Sequence, residues 1–285
     1  MILKLVVLSN AFSFFGKELT KDGSFMLSAL AYIEETLICA EIVRLAPKPL
    51  APIIGGIIAR RLKSHKTIFN SLLQIAVQRC LERDLKRLGH SVPKHADCIQ
   101  WIMETSPRQK PWTPTRIVHE LMAIWFGSVH ALSTTITFAI HDLCLHPGYV
   151  EPLRRELQAE YSVFESTGKG LSLLDSFIKE SARLTPVESN GTEVRQGDWV
   201  CTPVRAIMQS PEYYPDPLEF RGFRVADHKA LDSPVALPSL NFRQPSPSKL
   251  TDVNQSWHVW GTGRMACPGR YYAVAINYEL ALSRL

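Results

Sequence analysis

The chain has 285 residues, a length that favours one large domain and leaves two small domains as the alternative. Apolar residues make up 46% of it and charged residues 21%, a composition that excludes wholesale disorder, a collagen-like repeat and a coiled-coil rod. The net charge of +5 is spread along the chain, without basic stripes interleaved with aromatic residues, so we expect no nucleic-acid partner.

The six cysteines are scattered, and no two of them form a C-x-x-C pair. This spacing disfavours a zinc ribbon and a thioredoxin-like redox site, and the low cysteine density disfavours a disulfide scaffold. A reducing compartment is therefore the default expectation.

The longest apolar stretches near the N-terminus, Met1 to Leu8 and Ile53 to Ile58, are far shorter than the roughly 20 residues of a membrane-spanning helix. We therefore predict no membrane span in this chain. Met1 to Leu8 is either the apolar core of a weak signal peptide or the start of a buried helix. The helix is favoured because no small-residue cleavage site follows.

Residues 1–112 are predicted to be helical. The stretch from Phe25 to Leu45 carries apolar residues at helical spacing, and residues 48–52, which include two prolines, end it. A second helix is predicted from Arg60 to Leu88, with basic residues at its start and charges of alternating sign later. The predicted buried stripe of the first helix comprises Met26, Ala29, Leu30, Ile33, Leu37 and Ala40.

Thr113 and Pro114 are a strong helix start, and no helix breaker follows before Pro147. The predicted helix from Pro114 to His146 is therefore a rod of about 50 Å. Its middle is apolar on nearly every side, so we expect it to pass through the core. The residues that carry this expectation are Ala123, Ile124, Trp125, Phe126, Val129, Ala131 and Leu132.

Two shorter helices are predicted next, from Tyr149 to Tyr161 and from Leu171 to Leu184. The stretch from Asn190 to Cys201 then has the turn residues and β-branched residues of a short hairpin. Residues 210–223 are rich in turns, residues 227–256 read as an irregular ordered loop, and a final apolar helix runs from Gly269 to Leu285. The fold class predicted is mainly α, with small β elements.

Chemistry is concentrated in residues 260–270, where Cys267 stands between Gly263 and Gly269 at the opening of the final helix. Glycines let a backbone approach a flat ligand closely, and N–H groups at a helix start stabilise a thiolate. Taken alone, the same pattern favours a buried structural cysteine beside a turn.

Further motifs stand in order along the chain. The cysteine loop resembles the haem-binding signature F-x-x-G-x-R-x-C-x-G of the cytochrome P450 family, with Trp260 in the place of the phenylalanine. Glu180 and Arg183 match the E-x-x-R motif of that family, and residues 214–224 are similar to the segment that supplies its third charged partner, here Arg224. The helix from Pro114 to His146 matches the long central helix of the family.

The resemblance implies a single, partial cytochrome P450 domain over residues 1–285, with residues 1–112 as its helical middle region. It implies a haem b whose iron takes the Cys267 thiolate as its axial ligand, in a loop formed by Trp260, Gly263, Arg264 and Gly269. Glu180, Arg183 and Arg224 would form a structural ion cluster behind the haem.

The function implied is that of a monooxygenase of fungal secondary metabolism. It would oxidise a lipophilic small molecule, such as a terpenoid, with dioxygen and with electrons from NADPH–cytochrome P450 reductase. The family places such enzymes at the cytoplasmic face of the endoplasmic reticulum membrane, and without an anchor the chain would be cytoplasmic. The alternative is a non-catalytic, truncated remnant that does not hold haem stably.

Several positions depart from the family pattern. The acid–threonine pair of the central helix is replaced by His130 and Ala131, which leaves His130, Ser133 and Thr134 as the candidates for proton delivery. His130 is equally well explained as a residue that packs between helices. Met265 occupies a slot often filled by arginine or histidine, so Arg264 is the remaining candidate partner for a haem propionate. Elements that family members place before Met1, between residues 186 and 191 and after Leu285 are expected to be missing.

Overall fold

The computed structural model describes residues 2–107, 109–186, 203–231 and 246–282. Within these ranges the regular structure is helical and no strand occurs, which confirms the predicted mainly α class. The hairpin predicted over residues 190–201 lies outside the described residues. The chain contacts divide into two compact units, residues 3–129 and 130–285. The single-domain organisation therefore stays a prediction.

The first unit contains six helices among the described residues. They are α1 (Ile2–Thr20), α2 (Gly23–Leu45), α3 (Ala51–Arg61), α4 (Lys63–Arg87), α5 (Cys98–Thr105) and α6 (Pro114–Ser128). Helix α1 realises the predicted buried helix start, with Val6 fully buried. Asp22 caps α2 by accepting hydrogen bonds from the backbone N–H groups of Ser24 and Phe25 at 2.8 and 3.2 Å, which satisfies two otherwise unpaired donors.

Trp125 of α6 is the centre of the core of this unit. Its side chain is fully buried, and its indole N–H donates to the carbonyl oxygen of Ala29 at 2.9 Å. The rings of Phe14 and Phe15 lie 5.6 and 4.6 Å from the Trp125 ring, and Phe25 packs edge-on against Phe15. Burial of these aromatic rings holds α1, α2 and α6 together.

The helix predicted from Arg60 to Leu88 is wrong at its start. Helix α3 already begins at Ala51, because Pro52 suits the first turn of a helix, and it ends at Arg61. Leu62 is extended (φ −70°, ψ 108°), and α4 starts after it. The predicted stripe of α2 is also shorter than expected, since Ala29 and Ile33 are buried whereas Leu37 is exposed.

The long predicted helix is interrupted at Val129 and continues as α7 (His130–Leu145). The carbonyl oxygen of Ser128 accepts a hydrogen bond from the side-chain amide of Asn10 at 3.1 Å, and the Ser128 hydroxyl donates to the carbonyl oxygen of Trp125. Both bonds compete with the regular helical pattern at this point.

The expectation that this helix is buried on nearly every side is wrong for the described chain. Trp125 and Val129 are fully buried, but Ala123, Ile124 and Ala131 are exposed. The apolar stretch Pro114–Leu145 is long and apolar enough to cross a membrane, by length and composition only. A core helix of a water-soluble domain has the same two properties, so this stretch is not by itself a membrane anchor.

The second unit is built around α9 (Ser172–Leu184), which packs against α7. Its other described helices are α8 (Val150–Thr167), α10 (Val204–Met208), α11 (His228–Leu231) and α12 (Arg270–Leu282), with 3₁₀ turns at Pro147–Tyr149 and Gly263–Met265. Helix α8 runs six residues beyond its predicted end, to a left-handed Gly168 (φ 65°). Helices α9 and α12 lie within one residue of their predicted starts.

Candidate functional site

Helix α9 is fixed at its N-terminus by two carboxylates of α8. Glu156 accepts hydrogen bonds from the backbone N–H groups of Leu173 and Leu174 at 2.6 and 2.9 Å, and Glu160 accepts one from Leu171 at 2.8 Å. These N–H groups have no partner inside the helix, so the carboxylates satisfy them and complement the positive end of the helix dipole. Ser172 and Asp175 have the spacing of a capping box, but they accept hydrogen bonds from the backbone of Asp227 and Leu250. The acceptors at this helix start come from the preceding helix.

The stability of the protein should therefore depend on pH through Glu156. Burial raises the pKa of Glu156 to about 7, although its two backbone hydrogen bonds act in the opposite direction. The folded state then binds a proton that the unfolded state has released, so the unfolding free energy falls as pH rises from about 4.5 to about 7. We expect a loss of about 3 kcal/mol over this window, measured by chemical denaturation.

The matched variants are Glu156→Gln and Glu165→Gln, the second on the exposed side of the same helix. Glu156→Gln should remove most of the pH dependence in this window, whereas Glu165→Gln should keep it. A wild-type slope in Glu156→Gln would assign the pH dependence to other groups.

Glu180, Arg183 and Arg224 are brought together in the interior. The Glu180 carboxylate accepts two hydrogen bonds from Arg183, at 2.8 and 2.9 Å, and one bifurcated hydrogen bond from Nε of Arg224, whose distances to the two oxygens are 2.9 and 3.1 Å. The backbone N–H of Arg221 donates to the same carboxylate at 3.0 Å. None of the three charged side chains is more than 2% exposed. One buried carboxylate is thus compensated by two buried guanidinium groups.

The guanidinium groups also hold a long segment of irregular backbone onto α9. Nη1 of Arg183 donates to the carbonyl oxygens of Met208 and Pro217 at 2.8 and 2.6 Å. Arg224 donates to the carbonyl oxygens of Pro215 and Glu219 at 2.7 and 2.9 Å. Since carbonyls in a loop have no regular partner, the cluster supplies the hydrogen bonds that order residues 208–224.

The cysteine loop is closed by a hydrogen bond from the backbone N–H of Cys267 to the carbonyl oxygen of Trp260 at 2.7 Å. Gly261 and Gly263 have φ angles of 74° and 57°, a region that other residues adopt only with strain. A Cβ atom on Gly261 would also stand 3.3 Å from the carbonyl oxygen of Met265. The two glycines let the chain fold back so that Trp260 meets Cys267.

The Cys267 thiol is half-buried beside Gly269, where a Cβ atom would lie 3.9 Å from Sγ. Arg264 is exposed, and Met265 has 87% of its surface exposed. Trp260 is half-buried and donates its indole N–H to the carbonyl oxygen of Leu250 at 2.6 Å. The sequence did not indicate Leu250, since a backbone carbonyl has no sequence signal.

His130 stands at the start of α7, immediately after the interruption of the long helix. Its Nε2 atom is buried and has no hydrogen-bond partner among the described residues. The Ser133 hydroxyl is committed to the carbonyl oxygen of His130 at 3.0 Å, and Thr134 is half-buried. A buried imidazole nitrogen without a partner is costly unless a water or a ligand bonds to it.

The cysteine loop suits a metal ion that is already coordinated by a cofactor and needs one further ligand. Within the described ranges, no group of three or more histidine, cysteine or acidic side chains could hold a metal ion. Cys267 therefore offers one sulfur ligand in an open, glycine-lined setting, which fits the iron of a haem better than a protein-caged ion. A cleft of 670 Å³ in the first unit, lined by Arg79, Lys86 and Lys94 among others, contains none of these site residues.

Comparison with protein families finds that the Cytochrome P450 family matches residues 5–283. The chain is 28% identical to the cytochrome P450 monooxygenase janP of Penicillium janthinellum, over all of this chain and 56% of that protein. It is also 28% identical to an ent-kaurene oxidase of Gibberella intermedia, over 96% of this chain and 52% of that protein. The chain thus spans about half the length of these relatives.

Solved structures give the same fold. The superposition with the haem domain of cytochrome P450DA covers all of this chain and 59% of that domain, with a TM-score of 0.62 and 15% sequence identity. A second solved cytochrome P450 covers 99% of this chain with a TM-score of 0.59 and 19% identity. At these identities the structures establish the fold alone.

Proposed function

Because the chain belongs to the cytochrome P450 family, we propose that it carries the haem-thiolate part of a monooxygenase that oxidises a lipophilic small molecule. The observation that carries this proposal is the geometry of residues 260–269, in which a lone cysteine follows two left-handed glycines at the start of α12. Cys267 would hold the iron of haem b through its sulfur in this proposal. Gly263, where a Cβ atom would meet nothing within 4 Å, and Gly269, beside the Cys267 sulfur, would keep side chains away from the cofactor.

The residues of the chain have distinct tasks in this proposal. When bound, haem supplies the reductive activation of dioxygen and the insertion of one oxygen atom into the substrate. Cys267 anchors the cofactor through its sulfur, and Trp260 holds the Cys267 backbone. Arg264 is exposed beside the loop and available to a propionate. The cluster of Glu180, Arg183 and Arg224 keeps residues 208–224 folded and does not contact substrate in this proposal.

The substrate class is proposed from the relatives. One of them is named an ent-kaurene oxidase, and another is the cytochrome P450 monooxygenase paxP of Penicillium paxilli, 27% identical over all of this chain. We propose an apolar terpenoid or similar fungal secondary metabolite. Electrons come in this proposal from NADPH–cytochrome P450 reductase, at the cytoplasmic face of the endoplasmic reticulum membrane.

Oxygen transfer tests this function directly. The purified, haem-loaded protein is mixed with reductase, NADPH, labelled dioxygen and a panel of apolar diterpenes. We expect one labelled oxygen atom in a product that depends on NADPH. Cys267→Ala should form none. A haem-loaded protein that binds members of the panel, consumes NADPH and labels no product would contradict monooxygenase activity on this class.

His130 is proposed as the proton-delivering residue, in support of which its Nε2 atom is buried without a partner in the described chain. We expect His130→Ala to keep haem content and substrate binding while it raises peroxide release per electron consumed, because the side chain that would hold and move a proton at its Nε2 atom is lost. The measurement is the ratio of hydrogen peroxide to NADPH consumed.

The control is His141→Ala, which removes an exposed histidine from the same helix and should leave this ratio unchanged. If His130→Ala lowers thermal stability and leaves the ratio at its wild-type value, His130 is a packing residue. In that case Ser133 and Thr134 are the polar side chains that remain for this role in the proposal.

A further inference from the structure

Residues 248–252 connect the cysteine loop to the rest of the second unit. Leu250 is 1% exposed, and its carbonyl oxygen accepts hydrogen bonds from the indole N–H groups of Trp257 and Trp260 at 3.2 and 2.6 Å. One carbonyl thus holds two large aromatic side chains of the segment that leads to Cys267. Trp257 is fully buried, so this point is part of the interior.

Both backbone polar groups of Cys267 depend on this short segment. The N–H of Cys267 donates to Trp260, whose indole is bound to Leu250. The carbonyl oxygen of Cys267 accepts a hydrogen bond from Nη1 of Arg270 at 3.1 Å, and Nε of Arg270 donates to the carbonyl oxygen of Thr251 at 3.1 Å. The position of the sulfur ligand therefore follows the position of Leu250 and Thr251.

Helix α9 anchors the segment through two side chains one turn apart. Oδ2 of Asp175 accepts the backbone N–H of Leu250 at 2.8 Å. Nζ of Lys179 donates to the Ser248 hydroxyl and to the carbonyl oxygen of Lys249 at 2.5 and 2.6 Å. The other Asp175 oxygen accepts a hydrogen bond from the Tyr278 hydroxyl of α12. Burial raises the pKa of Tyr278, which keeps this phenol protonated as a donor.

We propose that Asp175 is a positioning residue for the Cys267 ligand, through its hydrogen bond to the Leu250 amide. It rests on the proposed function in that Cys267 is taken as the iron ligand. Asp175 belongs to none of the motifs that identify the family in this chain, and its hydrogen bonds go to Leu250 and Tyr278 and not to the cysteine loop. Its carboxylate fixes Leu250, Leu250 fixes Trp260, and Trp260 fixes the N–H of Cys267.

A carboxylate is suited to this position because a charged acceptor forms a stronger bond with a buried amide than a neutral one does. Without it the Leu250 N–H would be buried and unpaired, and the segment would open more often to find water. Glu180 holds residues 208–224 and makes no contact with residues 248–252 among its hydrogen bonds. The two carboxylates of α9 therefore order different segments: Asp175 holds residues 248–252, and Glu180 holds residues 208–224.

The test compares Asp175→Ala with Asp175→Asn, which keeps one oxygen acceptor for Leu250. Hydrogen exchange of the backbone amides in residues 260–267 is measured first, with and without haem. We expect exchange about tenfold faster in Asp175→Ala, since a hydrogen bond to a charged group changes a local opening equilibrium by at least that factor. Asp175→Asn should stay within about threefold of the wild type.

The second readout is the fraction of bound haem that shows the red-shifted Soret band of thiolate ligation after reduction with carbon monoxide. We expect this fraction to fall about threefold or more in Asp175→Ala and to recover in Asp175→Asn, at equal haem content, if the loop opens as described. The control is Glu279→Gln, an exposed acid beside Tyr278 on α12, which should change neither readout. Wild-type exchange in Asp175→Ala would overturn the proposal.

If Asp175→Ala does not fold, Trp260→Phe decides, because it keeps an aromatic ring and removes the indole N–H that reaches Leu250. Faster exchange of the Cys267 amide supports the chain of hydrogen bonds, and unchanged exchange contradicts it. A wild-type protein without thiolate ligation would instead refute the proposed function. The exchange measured without haem would still test Asp175 in that case.

Discussion

Glu180→Ala, Arg183→Ala and Arg224→Ala should each strongly reduce the accumulation of folded protein. Glu180→Ala leaves two buried guanidinium groups without their carboxylate, and each arginine change removes a buried ion pair and leaves backbone carbonyls unpaired, since the three side chains are at most 2% exposed. Breaking a buried ion pair in this way costs about 3–5 kcal/mol, which is a large part of the stability of a typical domain. The measurement is the yield of monomeric protein together with its unfolding free energy.

The control for the cluster is Arg155→Ala, which breaks an exposed pair with Glu151 on α8. Exposed pairs of this spacing are worth at most about 1 kcal/mol, so Arg155→Ala should fold normally. A Glu180→Ala protein with normal stability and haem content that loses only turnover would show that the cluster has a catalytic task. Arg183→Lys keeps the charge but not the planar guanidinium group. Its unfolding free energy should therefore lie between those of Arg155→Ala and Arg183→Ala.

Cys267→Ala should eliminate thiolate ligation completely while the chain still folds. The side chain is half-buried, so its removal leaves a small cavity, and the loop-closing hydrogen bond uses the backbone N–H. A Cys-to-Ala change at such a site is expected to cost about 1–2 kcal/mol, whereas the loss of the proposed sulfur ligand would be complete. The measurement is the spectrum of the reduced protein with carbon monoxide.

The matched control is Cys144→Ala, which removes an exposed cysteine from the end of α7. Its spectrum should equal that of the unchanged protein. If Cys267→Ala kept the thiolate band and Cys144→Ala lost it, the ligand would be Cys144 and the loop assignment would be wrong.

Local signals in the sequence predicted most of the helices, since hydrophobic spacing and the Thr113–Pro114 start act over a few residues. Hydrophobic spacing did not predict the interruption at Val129, where one of the two competing hydrogen bonds comes from Asn10, more than a hundred positions away. The early start of α3 was missed because residues 48–52, with two prolines, indicate a break between helices, whereas Pro52 lies in the first turn of α3.

The residues of the candidate site also differ in whether a local sequence signal indicates them. Motif spacing pointed to Cys267 and to the Glu180–Arg183 pair, which are close in sequence. Arg224 was indicated through the resemblance of its segment. The backbone acceptors that order the loops, such as Leu250 and Met208, carry no side-chain signal. Asp175 was missed because its partners are an amide 75 positions away and a phenol 103 positions away.

The central claim is that this chain holds haem iron through the Cys267 sulfur. Its most direct test is the absorption spectrum of the purified protein, supplied with haem, reduced and exposed to carbon monoxide. We predict the red-shifted Soret band of a thiolate-ligated haem, with close to one haem per chain. Haem bound without that band, or a folded chain that takes up no haem, would contradict the claim and favour a non-catalytic member of the family.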